Sequence, residues 1–382
     1  MSVDRAPDLY IGLMTGTSLD GVDAVLADLG DVHPRVVESV KVCLADELRA
    51  ELLALSSSGY DELHRAAIVS QHLARSFASA VRELLLNAGI EPQQVRAIGV
   101  HGQTVRHRPD AGYTIQLNAP ATLAELAGID VVADFRSRDI AAGGQGAPLL
   151  PVFHAGLFTA DAARAVVNIG GIANVTGLAP AGSPEPVIGF DCGPGNVLID
   201  AWASEHLGHP FDRDGHWAAG GHSSATLLES MLQEPYFALA PPKSTGRELF
   251  NMEWLQHRLA RRDLAPRDVQ ATLTRLTAVA IGAAIARHVE HAADVLVCGG
   301  GAFNAALMRM LAEECAPRPV VSTAEFGVAP DQVEAFAFAW LAREHLHGRA
   351  ASLPSVTGAR GTRVLGALYP AGWAAEAASE IR

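Results

Sequence analysis

Lysine is nearly absent from this 382-residue chain: Lys41 and Lys243 are the only two, and neither follows a glycine. The Walker A pattern GxxxxGK[ST] therefore has no match, which excludes P-loop phosphate chemistry. GxGxxG, HExxH and GxSxG are missing too, removing the signatures of Rossmann dinucleotide folds, zincins and α/β-hydrolases. The four cysteines (Cys43, Cys192, Cys298 and Cys315) form no CxxC pair, so a reducing compartment is expected rather than disulfides or zinc. No basic segment precedes an apolar core at the N-terminus, so no signal peptide is expected. The longest uncharged stretches, residues 140–160 and 165–184, carry Gly, Pro and Asn. They read as loops and strands, not membrane helices. The expectation is a cytoplasmic protein with no membrane partner.

What is present is apolar and acidic. Hydrophobic residues make up 49% and charged residues 19%, which excludes a disordered chain. The length suggests two domains at roughly 150 residues each. A net charge of −13 disfavours nucleic acid as a general partner, without forbidding a local anion site.

Tyr10–Met14 and residues 22–29 read as two strands joined by a Gly/Asp turn, and Arg35–Cys43 as a third. Apolar residues from Leu63 to Ala88 recur at helical spacing up to Gly89, predicting one long amphipathic helix. Val95–Val100, Tyr113–Leu117 and residues 130–133 read as strands, with a helix over 119–127. Residues 136–148 read as an irregular crossing between domains. The pattern then restarts: residues 165–169, a Gly170-Gly171 break, then residues 172–177. A strand leads into Asp191 and a helix to His206. Helices are expected over 273–291, 304–314 and 330–347, with a strand over 294–298. Strands alternating with helices argue an α/β protein.

Three glycine turns stand at strand ends: Met14–Asp23, Asn168–Thr176 and Val297–Asn304. Each read alone is as well explained by an ordinary turn or bulge; together they suggest a gripped nucleotide. Asp191, before a Gly-Pro-Gly turn, reads as a base or a helix cap. His101, Gln103, Thr104 and Arg106 cluster just past a strand, as a sugar site or a surface turn. Arg136, Arg138 and Asp139 open a charged loop that reads equally as a solvated linker. Glu334 sits on an otherwise apolar helix face, where a carboxylate needs a partner.

The blocks GLMTGTSLDGVD, HGQTVRHRP, RDIAAGGQGAPLLP, NIGGIAN, GFDCGPGN, PPKSTGRE, CGGGAFN, PDQVEAFAFAWLA and LPSVTGA occur in this order. Together they resemble the anhydro-N-acetylmuramic acid kinase family, of the acetate and sugar kinase, heat-shock chaperone and actin superfamily. Cys192 stands where Thr is usual, and Thr15 where Ser is usual. The resemblance implies two actin-like (ribonuclease H-like) domains with ATP in the cleft: residues 1–138 with 352–382, and residues 139–351. It implies phosphorylation of 1,6-anhydro-N-acetylmuramic acid with ATP and water, giving N-acetylmuramic acid 6-phosphate in peptidoglycan recycling. Gly16, Thr17, Ser18, Leu19, Asp20, Gly21, Val22 and Asp23 would hold the ATP phosphates. Gly170, Gly171, Gly299, Gly300 and Gly301 would complete the nucleotide site. Asp191 matches the catalytic base, and Thr104, Arg138 and Glu334 match sugar-contacting positions. ATP and Mg2+ are the implied cofactors, with the metal ligands unassigned; a homodimer is compatible with the sequence. Two rivals are an actin- or chaperone-like ATPase without a sugar, and a glycosidase using Asp191 and Glu334 as a carboxylate pair.

Overall fold

In a computed structural model, residues 7–16, 19, 21–30, 34–260 and 262–372 are described. Thr17, Ser18 and Asp20 of the first glycine turn lie outside them. Contacts divide the chain into Met1–Phe153 with Glu334–Arg382, and His154–Val333. Helix Leu150–Phe158 spans the first boundary. The sequence expectation set the crossings fifteen or more residues away, at 138 and 351, because the glycine-rich segment after Arg136 read as a linker. It is instead bound into the first unit.

In the first unit, β1 (Leu9–Met14), β2 (Gly21–Asp28) and β3 (Arg35–Cys43) pair antiparallel. Helices α1 (Asp46–Leu55) and α2 (Glu62–Ala88) follow. α2 ends at Gly89 in the left-handed conformation, φ 65°, where glycine bears no Cβ penalty. β4 (Val95–Val100) runs parallel to β1. β5 (Gln103–Arg108) and β6 (Tyr113–Leu117) form a separate hairpin. α3 (Pro120–Ala127) leads to β7 (Val131–Ala133), parallel to β4.

The second unit repeats the opening. β8 (Arg164–Ile169), β9 (Ile172–Leu178) and β10 (Ile188–Pro194) are antiparallel. α4 (Val197–Leu207) and short helices up to Leu259 precede α5 (Pro266–His288). β11 (Asp294–Cys298) and β12 (Val320–Ser322) run parallel to β8, with α6 (Ala305–Cys315) between them. The chain returns to the first unit through α7 (Val333–Leu346), and β13 (Ala367–Tyr369) caps the edge of β7. The strand orders are β13-β7-β4-β1-β2-β3 and β10-β9-β8-β11-β12. Apart from β13, the two sheets share one order and one sense: three antiparallel strands and two parallel ones. This is the repeated α/β frame expected from the resemblance.

α5 is long and apolar enough to cross a membrane, but 78% of its apolar window is buried, as in a core helix. It packs Leu273 and Leu276 into one apolar cluster and Ile281 and Ile285 into another. In the first unit, Gly12 and Gly99 are register partners on β1 and β4. A Cβ on either would overlap a carbonyl of α7, at Ala335 and Phe338 respectively. The glycine pair thus lets the helix backbone lie directly on the sheet.

Two histidines are buried in the neutral form. Burial and the Arg136 charge hold His101 well below its usual range, and burial pushes His154 down to about 3. Folding therefore excludes two protons that the unfolded chain takes up below about pH 6.5. Stability is full above that pH and declines as pH falls, by roughly 1.4 kcal/mol per pH unit for each group. Both imidazoles should show no titration in NMR spectra between pH 8 and 5, while denaturant unfolding becomes easier over the same range. A ring titrating near its usual pKa contradicts its assignment as buried and neutral. Gly99→Ala should cost about 3 kcal/mol of unfolding free energy through overpacking; wild-type stability in that variant would refute the close helix–sheet contact.

Candidate active site

The first glycine turn joins β1 to β2. Thr15 donates its hydroxyl to the Gly102 carbonyl, 3.0 Å, tying the turn to the end of β4. Leu19 is buried with φ 55° and donates its N–H to the Gly16 carbonyl. Gly21 and Val22 begin β2, and Asp23 faces Lys41 at 3.6 Å. A Cβ at Gly21 would lie 2.8 Å from the Val42 carbonyl. Bulk at Gly21 therefore strains the pairing of β2 with β3, whatever it does to a phosphate.

The polar cluster after β4 divides by role. Arg106 donates to the Leu55 carbonyl and pairs with Glu62, so its charge is spent on α1 and α2. His101 Nε2 takes hydrogen bonds from Arg136 at 3.0 and 3.1 Å. Thr104 accepts from Gln116 across the hairpin, 3.1 Å. Gln103 Oε1 and both polar atoms of Asn118 are buried and unpaired. Asn118 does not cap α3; the cap residue is Ala119.

The charged loop is no linker. Asp139 is fully buried, accepting from the Gly146 N–H and from the Thr357 hydroxyl, both at 2.8 Å. Gln145 donates to the Thr357 carbonyl, 2.8 Å, and Arg136 to the Gly146 carbonyl, 2.8 Å. The blocks RDIAAGGQGAPLLP and LPSVTGA are thus two sides of one anchor. Arg138, beside Asp139, is exposed. Glu334 is half-buried in the first turn of α7, so Thr104, Arg138, Glu334 and the first glycine turn all belong to the first unit.

Asp191 and the other two glycine turns belong to the second unit. The Gly170 and Gly171 carbonyls accept from the N–H groups of Gly195, Asn196 and Val197 at 2.8–3.0 Å. Asn196 donates its side-chain amide to Ile169. Gly299, at φ 79°, and Gly301 pack onto Asn168 and Ile169, where a Cβ on either would overlap. Gly170 and Gly300 differ: the nearest atoms to an added Cβ stand at 3.6 and 3.8 Å. Gly170 and Gly300 therefore leave room beside their backbone, and Gly299 and Gly301 are required by packing.

Asp191 is half-buried on β10, just before a register shift at Cys192. Its Oδ2 accepts from the Thr245 N–H at 3.1 Å, its N–H donates to the Lys243 carbonyl, and its carbonyl accepts from Tyr236 Oη at 2.7 Å. Burial and the Asp191 charge push both the Tyr236 hydroxyl and the Cys192 thiol upward, so both stay protonated. Burial pushes Lys243 down, and its ammonium stands 4.7 Å from the Tyr236 ring centre. Tyr236, Lys243 and Thr245 were not singled out from the sequence, though PPKSTGRE contains two of them. Among the described residues, no group of three or more His, Cys, Asp or Glu is arranged to hold a metal.

The family model described as "Anhydro-N-acetylmuramic acid kinase" matches residues 8–371. This chain belongs to the anhydro-N-acetylmuramic acid kinase family. Relatives bearing that name include one from Bordetella pertussis, 59% identical over 95% of this chain and 96% of the relative. Others are from Thiobacillus denitrificans, 53% identical over 95% and 97%, and Albidiferax ferrireducens, 52% identical over 95% and 100%.

The glycine geometry makes a test. Gly300→Ala should leave the melting temperature within about 2 °C of wild type. Gly301→Ala should lower it by several degrees, since roughly 1 kcal/mol shifts a unit the size of His154–Val333 by 2–4 °C. Equal melting of the two variants would remove the distinction between packing and open glycines.

Proposed function

We propose that this protein is an ATP-dependent kinase for 1,6-anhydro-N-acetylmuramic acid, yielding N-acetylmuramic acid 6-phosphate and ADP with opening of the anhydro bridge. Membership of the family supports this, and one observation carries the chemistry. Asp191 is a partly exposed carboxylate in the middle of β10, the edge strand of its sheet, fixed by the backbone on both sides and by a donor on Oδ2. Such a group is positioned to accept a proton. Water attacks C1, the C1–O6 bond breaks, O6 takes the γ-phosphoryl group, and Asp191 takes the proton from water. A positioned base of this kind contributes about 10²–10⁴-fold.

The remaining residues divide by unit. Gly16–Asp23 approaches the phosphates through backbone N–H groups, and Gly170, Gly171 and Gly299–Gly301 form the nucleotide side of the second unit. Phosphoryl transfer needs positioning and charge stabilisation more than covalent help. Thr104, Arg138 and Glu334 contact the sugar. The unpaired atoms of Gln103 and Asn118, at the open end of the hairpin that carries Thr104, favour a polar ligand there. Magnesium fits a site built from phosphate oxygens, water and one or two carboxylates, which needs no three-residue protein cluster. When bound it neutralises polyphosphate charge that no P-loop lysine is present to meet. The protein works in the cytoplasm, where ATP and reduced thiols are found.

ADP release followed with and without the anhydro sugar separates this reading from its rivals. Sugar-dependent release is expected; sugar-independent release would favour a chaperone- or actin-like ATPase, and sugar hydrolysis without ATP a glycosidase. Asp191→Asn should retain both ligands and lower kcat by at least about 10²-fold, since an amide takes no proton from water. Near-normal kcat in that variant would remove Asp191 as the base. Excess chelator should abolish turnover; undiminished activity would exclude a magnesium requirement.

A further inference from the structure

The proposed reaction consumes a water molecule, and the polar atoms around Asp191 bear on where it is held. Asn168, Asn174 and Asp191 are direct register partners across β8, β9 and β10. Direct partners on antiparallel strands share one face of the sheet, with Cβ atoms about 4.5–5.5 Å apart. The row continues to Cys298 on β11, the residue before Gly299. Asn174 Oδ1 is sealed from solvent and unpaired, and so is Thr245 Oγ1. Thr245 is the residue whose N–H donates to Asp191 Oδ2. Two unmatched buried polar atoms therefore flank a single carboxylate, and leaving such atoms dry is costly. Polar sites of this kind hold ordered water, which needs two to four partners.

We propose that Asn174 and Thr245, with Asp191, hold the water that attacks C1; this rests on the kinase reading above. The donor and acceptor pattern matches one tetrahedral water. One O–H points to Asp191 and the other to Asn174 Oδ1. The Thr245 hydroxyl donates to one lone pair, and the remaining lone pair is directed at the anomeric carbon. As the new C1–O bond forms, the C1–O6 bond breaks, Asp191 receives the proton, O6 receives the γ-phosphoryl group, and ADP leaves. Asn174 and Thr245 exchange no proton with the sugar. They fix the nucleophile, a task in which a misplacement of about 1 Å costs about 10²-fold.

Steady-state kinetics of Asn174→Leu, Thr245→Val and Thr245→Ser, on protein whose thermal melt matches wild type, test the assignment. Asn174→Leu and Thr245→Val should lose about 10²-fold in kcat, with KM for ATP and for the anhydro sugar within about threefold of wild type. Thr245→Ser, which keeps the hydroxyl, should stay near wild type. Asn174→Ala opens space beside the carboxylate, so in dilute methanol it should yield the methyl glycoside 6-phosphate; wild type should yield only the free sugar phosphate. A rise in KM with unchanged kcat would place these residues on the sugar or nucleotide and overturn the inference. So would kcat values within about threefold of wild type in both disabling variants. Absence of sugar-dependent ADP release from wild type would take down the kinase reading itself, whereas a working wild type with indifferent variants overturns this inference alone.

Discussion

The contact on which the first unit depends is the approach of α7 to a glycine pair. Gly12 and Gly99 face each other on β1 and β4, and the carbonyls of Ala335 and Phe338 occupy the space their side chains would need. β1 runs on into the first glycine turn, and α7 begins at the turn that carries Glu334. A single close-packed contact therefore sets both candidate ligand-facing elements of this unit. The aromatic residues of α7 complete the grip: Phe338 lies 5.0 Å from the His101 ring and 5.5 Å from Phe135, and Phe336 lies 5.2 Å from Phe153. The second unit uses the same device on a smaller scale, where Gly195 backs onto the Gly170 carbonyl and Gly301 onto Ile169.

Much of this was legible in the sequence, for local reasons. β8 and β11 are apolar runs followed directly by glycine, and α2 carries a buried apolar stripe from Val69 to Leu85, just before its glycine cap. β5 was not legible, because Gln103–Arg108 is mostly polar and its buried face holds a single apolar residue, Val105, beside the buried Gln103. α1 and the short helices after α4 were also missed, being one to three turns long and so too short to carry a clear apolar stripe. The start of α5 at Pro266, seven residues before the expected one, follows from a proline at the first helical position.

The candidate site shows a similar division. Asp191, the glycine turns and Glu334 stood out as residue types at strand or helix ends. The setting of Asp191 did not, because Tyr236 and Thr245 lie 45 and 54 residues further along the chain. Spacing alone cannot expose a partner at that range. The same limit hid the role of Asp139, whose partner Thr357 is 218 residues away. A segment that looked like a flexible linker by composition is fixed by two hydrogen bonds to one buried carboxylate. Glycine there marks tight backbone geometry, as at Gly143 and Gly146 with φ of 86° and 68°, and not freedom of movement.

Cys192 adjoins Asp191 in sequence, a placement that in a more open protein would expose a reaction centre to peroxide. Its side chain is buried, donates to the Ala173 carbonyl, and is held in the thiol form by that burial and by its acidic neighbour. Oxidation proceeds through the thiolate, so this sulfur is shielded both sterically and electronically. Cys298, the register partner of Asn168, is equally enclosed. Among the four cysteines only Cys43, on the edge strand β3, is exposed. Oxidative damage should therefore begin at that edge and leave the candidate site around Asp191 intact.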